Sequence, residues 1–293
     1  MNLKENILKL QDCVQALKEL PDDSMPIILV DPPYNIGKDF GNDSDKRDLP
    51  SYIAWSKEWL KECERVLAKN GTMYIYGLPE ILAHISVNLK LPHQWLAWHY
   101  TNKNTPNLNF WQRSHESIIV VWKDETKRIF NLDDVREPYT DTFLKNSAGK
   151  VRKGTPGRFS TNGKETVYQA HEKGALPRDV IKVAALAGGA GKKERWFYCP
   201  KCEEAYPNIE KVNHEKHAKI IVHPTQKPYA LTKKLLLAAK PEKDGVVLIP
   251  FLGTGSEALV AHELGLKYIG FELNPLFLAL AKSFLDKKIN NKK

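Results

Sequence analysis

The run Ile27-Ile28-Leu29-Val30 is apolar at every position and stops at Asp31-Pro32-Pro33. A strand with one wet face alternates apolar and polar residues. A strand that is apolar throughout is covered on both faces, as in a parallel sheet with helices above and below. The prolines end it, because they cannot donate to a strand ladder. The surrounding sequence repeats the pattern. Ser51–Leu67 places Ile53, Leu60, Val66 and Leu67 among charged residues, as an amphipathic helix does. Asn70-Gly71 is a turn, and Thr72–Tyr76 and Ser117–Trp122 read as strands. After His223 the sequence predicts a helix over Gln226–Lys240, a strand over Gly245–Leu248, a helix over Ser256–Leu264, a strand over Tyr268–Phe271 and a helix over Pro275–Lys287. Strands alternating with helices imply an α/β fold, a mostly parallel sheet flanked by helices.

Between about Asp124 and Lys219 the periodicity fades into Gly, Pro, Lys and Asn. The expected organisation is therefore 1–123, an inserted region 124–220, and 221–293. A chain of 293 residues is long enough for this. No apolar run approaches the roughly 18 residues of a membrane span. Met1–Leu10 has no apolar signal core, so the expected location is the cytoplasm, away from any membrane. Lys and Arg number 44 against 35 Asp and Glu, a net +9 that favours a polyanionic partner. A Lys-rich surface without such a partner gives the same count.

Three segments carry chemistry. Asp31-Pro32-Pro33-Tyr34 follows a buried strand, where open parallel sheets bind ligands. The prolines remove two N–H donors, so the preceding carbonyls can accept from a ligand. Asp31 adds a carboxylate and Tyr34 a flat ring. Together they suit a planar group bearing an amino function; a plain strand-ending turn has the same residues. Phe251-Leu252-Gly253-Thr254-Gly255-Ser256 joins a strand to a helix, where glycines let backbone approach a ligand. Glu272, 17 positions after Gly255 (272 − 255), ends the next strand as an acceptor for ribose hydroxyls. His223-Pro224-Thr225-Gln226-Lys227-Pro228 opens a helix that Thr225 can cap, with Lys227 in reach of an anion.

The order of these segments resembles the beta-class DNA amino-methyltransferases. In that family D-P-P-Y comes first and the cofactor F-x-G-x-G near the C-terminus, here 220 positions later (251 − 31). His223–Pro228, Gln11-Asp12-Cys13 and Pro21-Asp22-Asp23-Ser24 also match, so the resemblance covers residues 5–123 and 221–287. It implies a Rossmann-like methyltransferase fold with circularly permuted motif order and a target-recognition region in the middle. It implies that Asp31, the Pro32 carbonyl, Pro33 and Tyr34 hold and stack a flipped base. It places S-adenosyl-L-methionine among Asp12, Cys13, Asp31, His223, Phe251, Gly253, Thr254, Gly255, Ser256, Glu272 and Asn274, with Thr225 and Lys227 on its carboxylate. Double-stranded DNA is the implied partner; a homodimer and a cognate restriction endonuclease are compatible with it. Asp at the motif's first position leans toward adenine N6, with cytosine N4 the alternative. Where the family usually has Asp before Pro-Phe, this chain has Ile249. The expectation is an active enzyme with weak cofactor affinity, tightened by Ile249→Asp; a DNA-binding homologue with weakened catalysis is the other reading.

Cytosine-C5 chemistry needs a thiolate that attacks the ring, and no cysteine here follows a proline in that arrangement. RNA and protein-amide methylation would show Asn at position 31 and the cofactor motif first. A further constellation, Cys199-x2-Cys202-x11-His214-x2-His217, suits structural zinc, with His223 able to substitute. Trp55, Trp59, Trp95 and Trp98 are expected in the core. Arg152, Lys153 and Arg158 suit phosphate contacts, and Asn102–Asn109 suits a DNA-facing loop.

Overall fold

The computed structural model describes residues 5–41, 45–102, 108–153, 165–207 and 220–290. The chain begins with β1 (Ile7–Leu10), α1 (Cys13–Lys18), β2 (Met25–Val30), α2 (Leu49–Val66), β3 (Leu67–Gly77), α3 (Pro79–Ser86), β4 (His93–His99) and β5 (His115–Trp122). A middle stretch holds α4 (Asp141–Asn146), β6 (Val151–Lys153), β7 (Glu165–Val167), β8 (Val180–Lys182), α5 (Gly188–Glu194), β9 (Phe197–Cys199), β10 (Glu204–Tyr206) and β11 (Ile221–Val222). The chain then runs through α6 (Tyr229–Ala239), β12 (Val246–Ile249), α7 (Ser256–Glu263), β13 (Lys267–Glu272) and α8 (Pro275–Asn290).

Eight strands form one sheet in the order β1-β13-β12-β2-β3-β5-β4-β8. From β1 to β3 every pair is parallel; β5 runs antiparallel to both β3 and β4, and β8 is parallel to β4. Strand residues alternate between two buried layers. Ile27, Leu29, Val247 and Ile249 join the layer of α6, α7 and α8, whereas Ile28, Val30, Val246 and Leu248 join that of α1 and α2. That is why β2 reads as a continuous apolar run.

The register Val247↔Ile27 and Leu248↔Ile28 sets the two motif-bearing strands side by side. From β2 the chain leaves toward α2 on one face, and from β12 toward α7 on the other. A crevice opens where neighbouring strands send their connections apart, and there both motifs emerge.

Local caps fix the helix starts. Asp12 accepts from Gln15 N at the head of α1, and Asp48 from Ser51 N at the head of α2. Helix α6 starts at Tyr229, three residues after the expected Gln226, because Pro228 holds the preceding residue out of the helical region. Thr225 therefore does not cap it. No helix among the described residues is long and apolar enough to cross a membrane.

The strands β9, β10 and β11 form a small antiparallel sheet. It rests on α8, where Ala205 N donates to Ser283 Oγ at 2.8 Å and Trp196 packs edge-on to Phe284 at 4.9 Å. Residues Asn131–Arg178 are a separate compact unit, narrower than the inserted region expected from sequence. Its parts are α4, the antiparallel pair β6–β7, the stacked Tyr139 and Phe143 rings at 4.7 Å, and a bridge between Glu137 and Ala175.

Candidate active site

Asp31 and Tyr34 sit at the carboxyl end of β2. Tyr34 is 7% exposed, and its hydroxyl donates to Asp31 Oδ1 at 3.0 Å and contacts Glu116 Oε2 at 3.4 Å. Glu116, near the start of β5, also accepts from Tyr100 at 3.4 Å. The other Asp31 oxygen accepts from Lys227 Nζ at 2.5 Å, and Lys227 is 3% exposed. Its ammonium lies 5.2 Å from the centres of both the Tyr34 and Tyr76 rings. Burial alone would discharge Lys227, but the charges of Asp31 and Glu116 hold it protonated. Burial pushes the Asp31 carboxyl above its ordinary range, with Lys227 pulling the other way. The Tyr52 hydroxyl takes the Pro33 carbonyl at 2.8 Å, whereas no hydrogen bond among the described residues reaches the Pro32 carbonyl.

Beyond Tyr34 the chain is tied back on itself. Buried Asp45 accepts from Asn35 N, Ile36 N and Lys38 N at 2.5, 3.2 and 2.6 Å. Asn35, in the left-handed region at φ 59°, exchanges two 2.8 Å bonds with the Arg47 backbone. Asn274 Nδ2 donates to the Phe40 carbonyl at 2.8 Å, so the loop is also fixed from the head of α8.

A cleft opens beside Asp31. Its walls include Gln11, Asp12 and Cys13 after β1, Phe251–Thr254 after β12, and Glu272 at the end of β13. The glycine turn and the acid are joined directly, because Gly253 N donates to Glu272 Oε2 at 2.9 Å. Leu273 N and Asn274 N hold the other oxygen at 2.9 Å each. Gly253 has φ +55°, and a Cβ there would stand 3.0 Å from His223 Nε2. His223 is neutral: burial, with the charges of Lys227 and Arg195, pushes it down to about 3. Two buried oxygens of the wall, Gln11 Oε1 and Thr254 Oγ1, have no hydrogen-bond partner among the described residues. Buried polar atoms left this way call for a polar ligand.

Of the residues expected at the site, Asp12, Cys13, Asp31, Pro33, His223, Thr225, Lys227, Phe251, Gly253, Thr254, Ser256 and Glu272 line this cleft. Four do not. Pro32 and Tyr34 are buried at its edge. Gly255 turns at φ +77° against Ala281 and Leu285 of α8, and Asn274 ties down the Phe40 loop. Lys227, expected on a cofactor carboxylate, instead pairs with Asp31. Ile249, expected to face the site, is 1% exposed inside the α6–α8 core layer, and it is Pro250 that reaches the cleft. Trp59 and Trp98 are core residues; Trp95 is 37% exposed, and Trp55 lines the cleft edge-on to Phe251 at 5.8 Å.

Sequence reasoning missed Glu116, Asp45 and Glu257. Glu116 carried a signal, as an acid just before the apolar run Ile118–Trp122 of β5. Cys199 is buried at the end of β9 and Cys202 exposed in the turn to β10. His214 and His217 lie outside the described residues, as do Arg158 and 103–107. No group of three or more metal-ligating side chains occurs among the described residues.

A family model for DNA methylases matches residues 25–283. Type II methyltransferase M.HpaI of Haemophilus parainfluenzae is 29% identical over 286 residues, covering 95% of this chain and 74% of that protein. DNA adenine methyltransferase YhdJ of Escherichia coli (strain K12) is 29% identical over 280 residues, covering 94% and 81%. Two solved structures share the fold. The cytosine-N4-specific PvuII DNA methyltransferase has a TM-score of 0.62 at 14% identity, with 98% of this chain and 91% of that one covered. The M1.HpyAVI–SAM complex has a TM-score of 0.53 at 18% identity, with 95% and 99% covered. The match spans both motif-bearing strands and the elements between them, and the chain belongs to the DNA methylase family.

Proposed function

We propose that this chain transfers the methyl group of S-adenosyl-L-methionine to the N6 amino group of adenine in duplex DNA. The observation that carries the reading is the pairing of Asp31 with a Pro32 carbonyl that no hydrogen bond among the described residues reaches, beside a cleft whose wall has two oxygens unpartnered among those residues. The residues fit the cofactor: Glu272 is aimed by three backbone N–H groups, and aromatic and polar walls meet at the glycine turn. When bound, S-adenosyl-L-methionine supplies an electrophilic methyl group on a sulfonium.

An exocyclic amino nitrogen is a poor nucleophile because its lone pair is delocalised into the ring. Asp31 and the Pro32 carbonyl accept its two N–H groups and draw the nitrogen toward a tetrahedral shape, which localises the lone pair. Lys227 and Tyr34 fix the Asp31 carboxylate for that task; a carboxylate has about four acceptor positions, so room remains for the substrate. Such positioned acceptors contribute most when they need not reorganise during the reaction. The base must first leave the duplex, at a cost of a few kcal/mol, which stacking on Tyr34 offsets.

The 124–220 region, which in sequence separates the two motif-bearing segments, is proposed to read the target sequence. The type II names of M.HpaI and M.BglII support a restriction-modification setting, with a cognate endonuclease as partner. We further propose that the Cys199–Cys202 turn is half of a structural zinc site completed by His214 and His217.

The test is to incubate the protein with duplex DNA and S-adenosyl-L-methionine, digest the DNA and identify the modified nucleoside. N6-methyladenine is expected, and Asp31→Ala should lower the rate by more than roughly a hundredfold while cofactor binding persists. N4-methylcytosine would replace the base assignment. Unmodified DNA from a folded, cofactor-binding protein would overturn the activity.

A further inference from the structure

One buried carboxylate in the cleft has no part in the mechanism above. Glu257 lies in the first turn of α7, is 5% exposed, and lines the same wall as Asp31 and Lys227. Its Oε2 accepts from Ser256 Oγ at 2.8 Å. Among the described residues the cations lining the cleft are exposed Arg47 and buried Lys227, and three carboxylates act on Lys227: Asp31, Glu116 and Glu257. The pocket is therefore short of positive charge, and a buried carboxylate without full compensation is costly. Such a residue is explained when the ligand itself brings the missing charge.

On the function proposed above, the ligand does. The cofactor enters with a sulfonium and an ammonium. Methyl transfer forms the N–C bond, breaks the S–C bond and returns that electron pair to sulfur, and the methylated nitrogen then gives up one proton to solvent, so the cofactor product leaves with a neutral thioether. The carboxylate that Ile249 withholds at the end of β12 has a counterpart eight positions on (257 − 249), at the head of α7. We infer that Glu257 is the carboxylate facing the cofactor's cationic end, and that it makes the cleft prefer the sulfonium cofactor over its thioether product.

The surroundings agree. The groups facing Glu257 are Asp31 from β2, Lys227 from the segment before α6, Tyr76 from β3 and Ser256 from its own helix. Glu272 and neutral His223 share the cleft, and α8 presents Ala281 and Leu285 to the head of α7. Burial, reinforced by Asp31 and opposed by Lys227, pushes the Glu257 carboxyl up to about 7. Near neutrality the free protein thus carries a proton there that an arriving cation must expel. Affinity for the charged cofactor rises as pH climbs through that value, and affinity for the neutral product rises less.

Calorimetric titration of the full chain with S-adenosyl-L-methionine and with S-adenosyl-L-homocysteine tests this, at about pH 6 and pH 8 to bracket the titration. Wild-type protein should prefer the sulfonium compound, more so at the higher pH. Glu257→Gln should weaken sulfonium binding by about tenfold, leave thioether binding within about twofold, and flatten the pH dependence of the ratio. Glu257→Asp, which keeps the charge, should retain most of the preference, and it guards against a glutamine variant that fails to fold. A folded Glu257→Gln protein with the wild-type ratio overturns the inference while leaving the proposed activity standing. Wild-type protein that binds neither compound overturns both.

Discussion

Ile249 sits at the end of β12 in the core layer that faces α6–α8, and is 1% exposed. The expectation that an aspartate here would tighten cofactor binding assumed that residue 249 faces the ligand. Strand alternation decides otherwise: Val247 and Ile249 share the face toward α6–α8, and the chain turns to the cleft only at Pro250. Ile249→Asp should therefore bury a carboxylate in apolar surroundings, at a cost of about 3 kcal/mol or more. For a chain of this size the melting midpoint should fall by roughly 6–12 °C. Thermal unfolding followed by circular dichroism checks this. A variant that melts like wild type and binds cofactor more tightly would show that the side chain turns into the cleft. Motif matching named Asp31, Phe251, Gly253 and Glu272 for the site. It did not show that Lys227 pairs with Asp31, because 196 positions separate them and only the fold closes that distance.

At the scale of elements, the apolar periodicities located β2, α6, β12, α7 and β13, with ends displaced by a few residues, but not β1 and α1, which flank Gln11-Asp12-Cys13. The displacements have local causes, such as Pro228 delaying α6. Short strands in polar sequence stayed hidden, since three residues such as Val180–Lys182 or Phe197–Cys199 carry no period of their own and pair only in tertiary context. The β9–β10 hairpin shows how one such element could be held. Cys199 ends β9, Cys202 lies in the turn, and Glu203 adopts φ 55°, so two thiols share one tight reversal. Desolvation, with the hydrogen bond and charge of the neighbouring Cys199, pushes the exposed Cys202 thiol up, an arrangement that a bound divalent cation would reverse by taking both as thiolates. If the proposed zinc is held there, elemental analysis of untagged protein should give about one zinc per chain. Chelation should then loosen the hairpin while the large sheet persists. Folded protein that is free of zinc as isolated would rule the site out.

For the whole molecule, the circular order of motifs is legible in the sequence, but its consequence is topological. The first motif and the last meet because β2 and β12 are neighbours in the sheet, which no local signal states. A second whole-chain property, the net charge of +9, makes its own prediction. If the substrate is duplex DNA, each phosphate neutralised by a Lys or Arg releases a counterion, and affinity must fall steeply with salt. Contacts to roughly six to ten phosphates would reduce DNA affinity by about 10³- to 10⁵-fold between about 50 and 200 mM salt. Cofactor affinity should change far less over that range, because Lys227 and Glu257 are buried and Asp31 is largely so, and buried charges are poorly screened. Fluorescence anisotropy with labelled duplex, alongside calorimetry for the cofactor, separates the two dependences. The steep component should be independent of sequence, since phosphates position the protein and base contacts specify the site. Exposed Leu108, Phe110 and Trp111, between β4 and β5, are apolar and would add salt-insensitive contact if they touch the duplex. A DNA affinity as flat in salt as the cofactor's would mean that the basic excess does not face DNA.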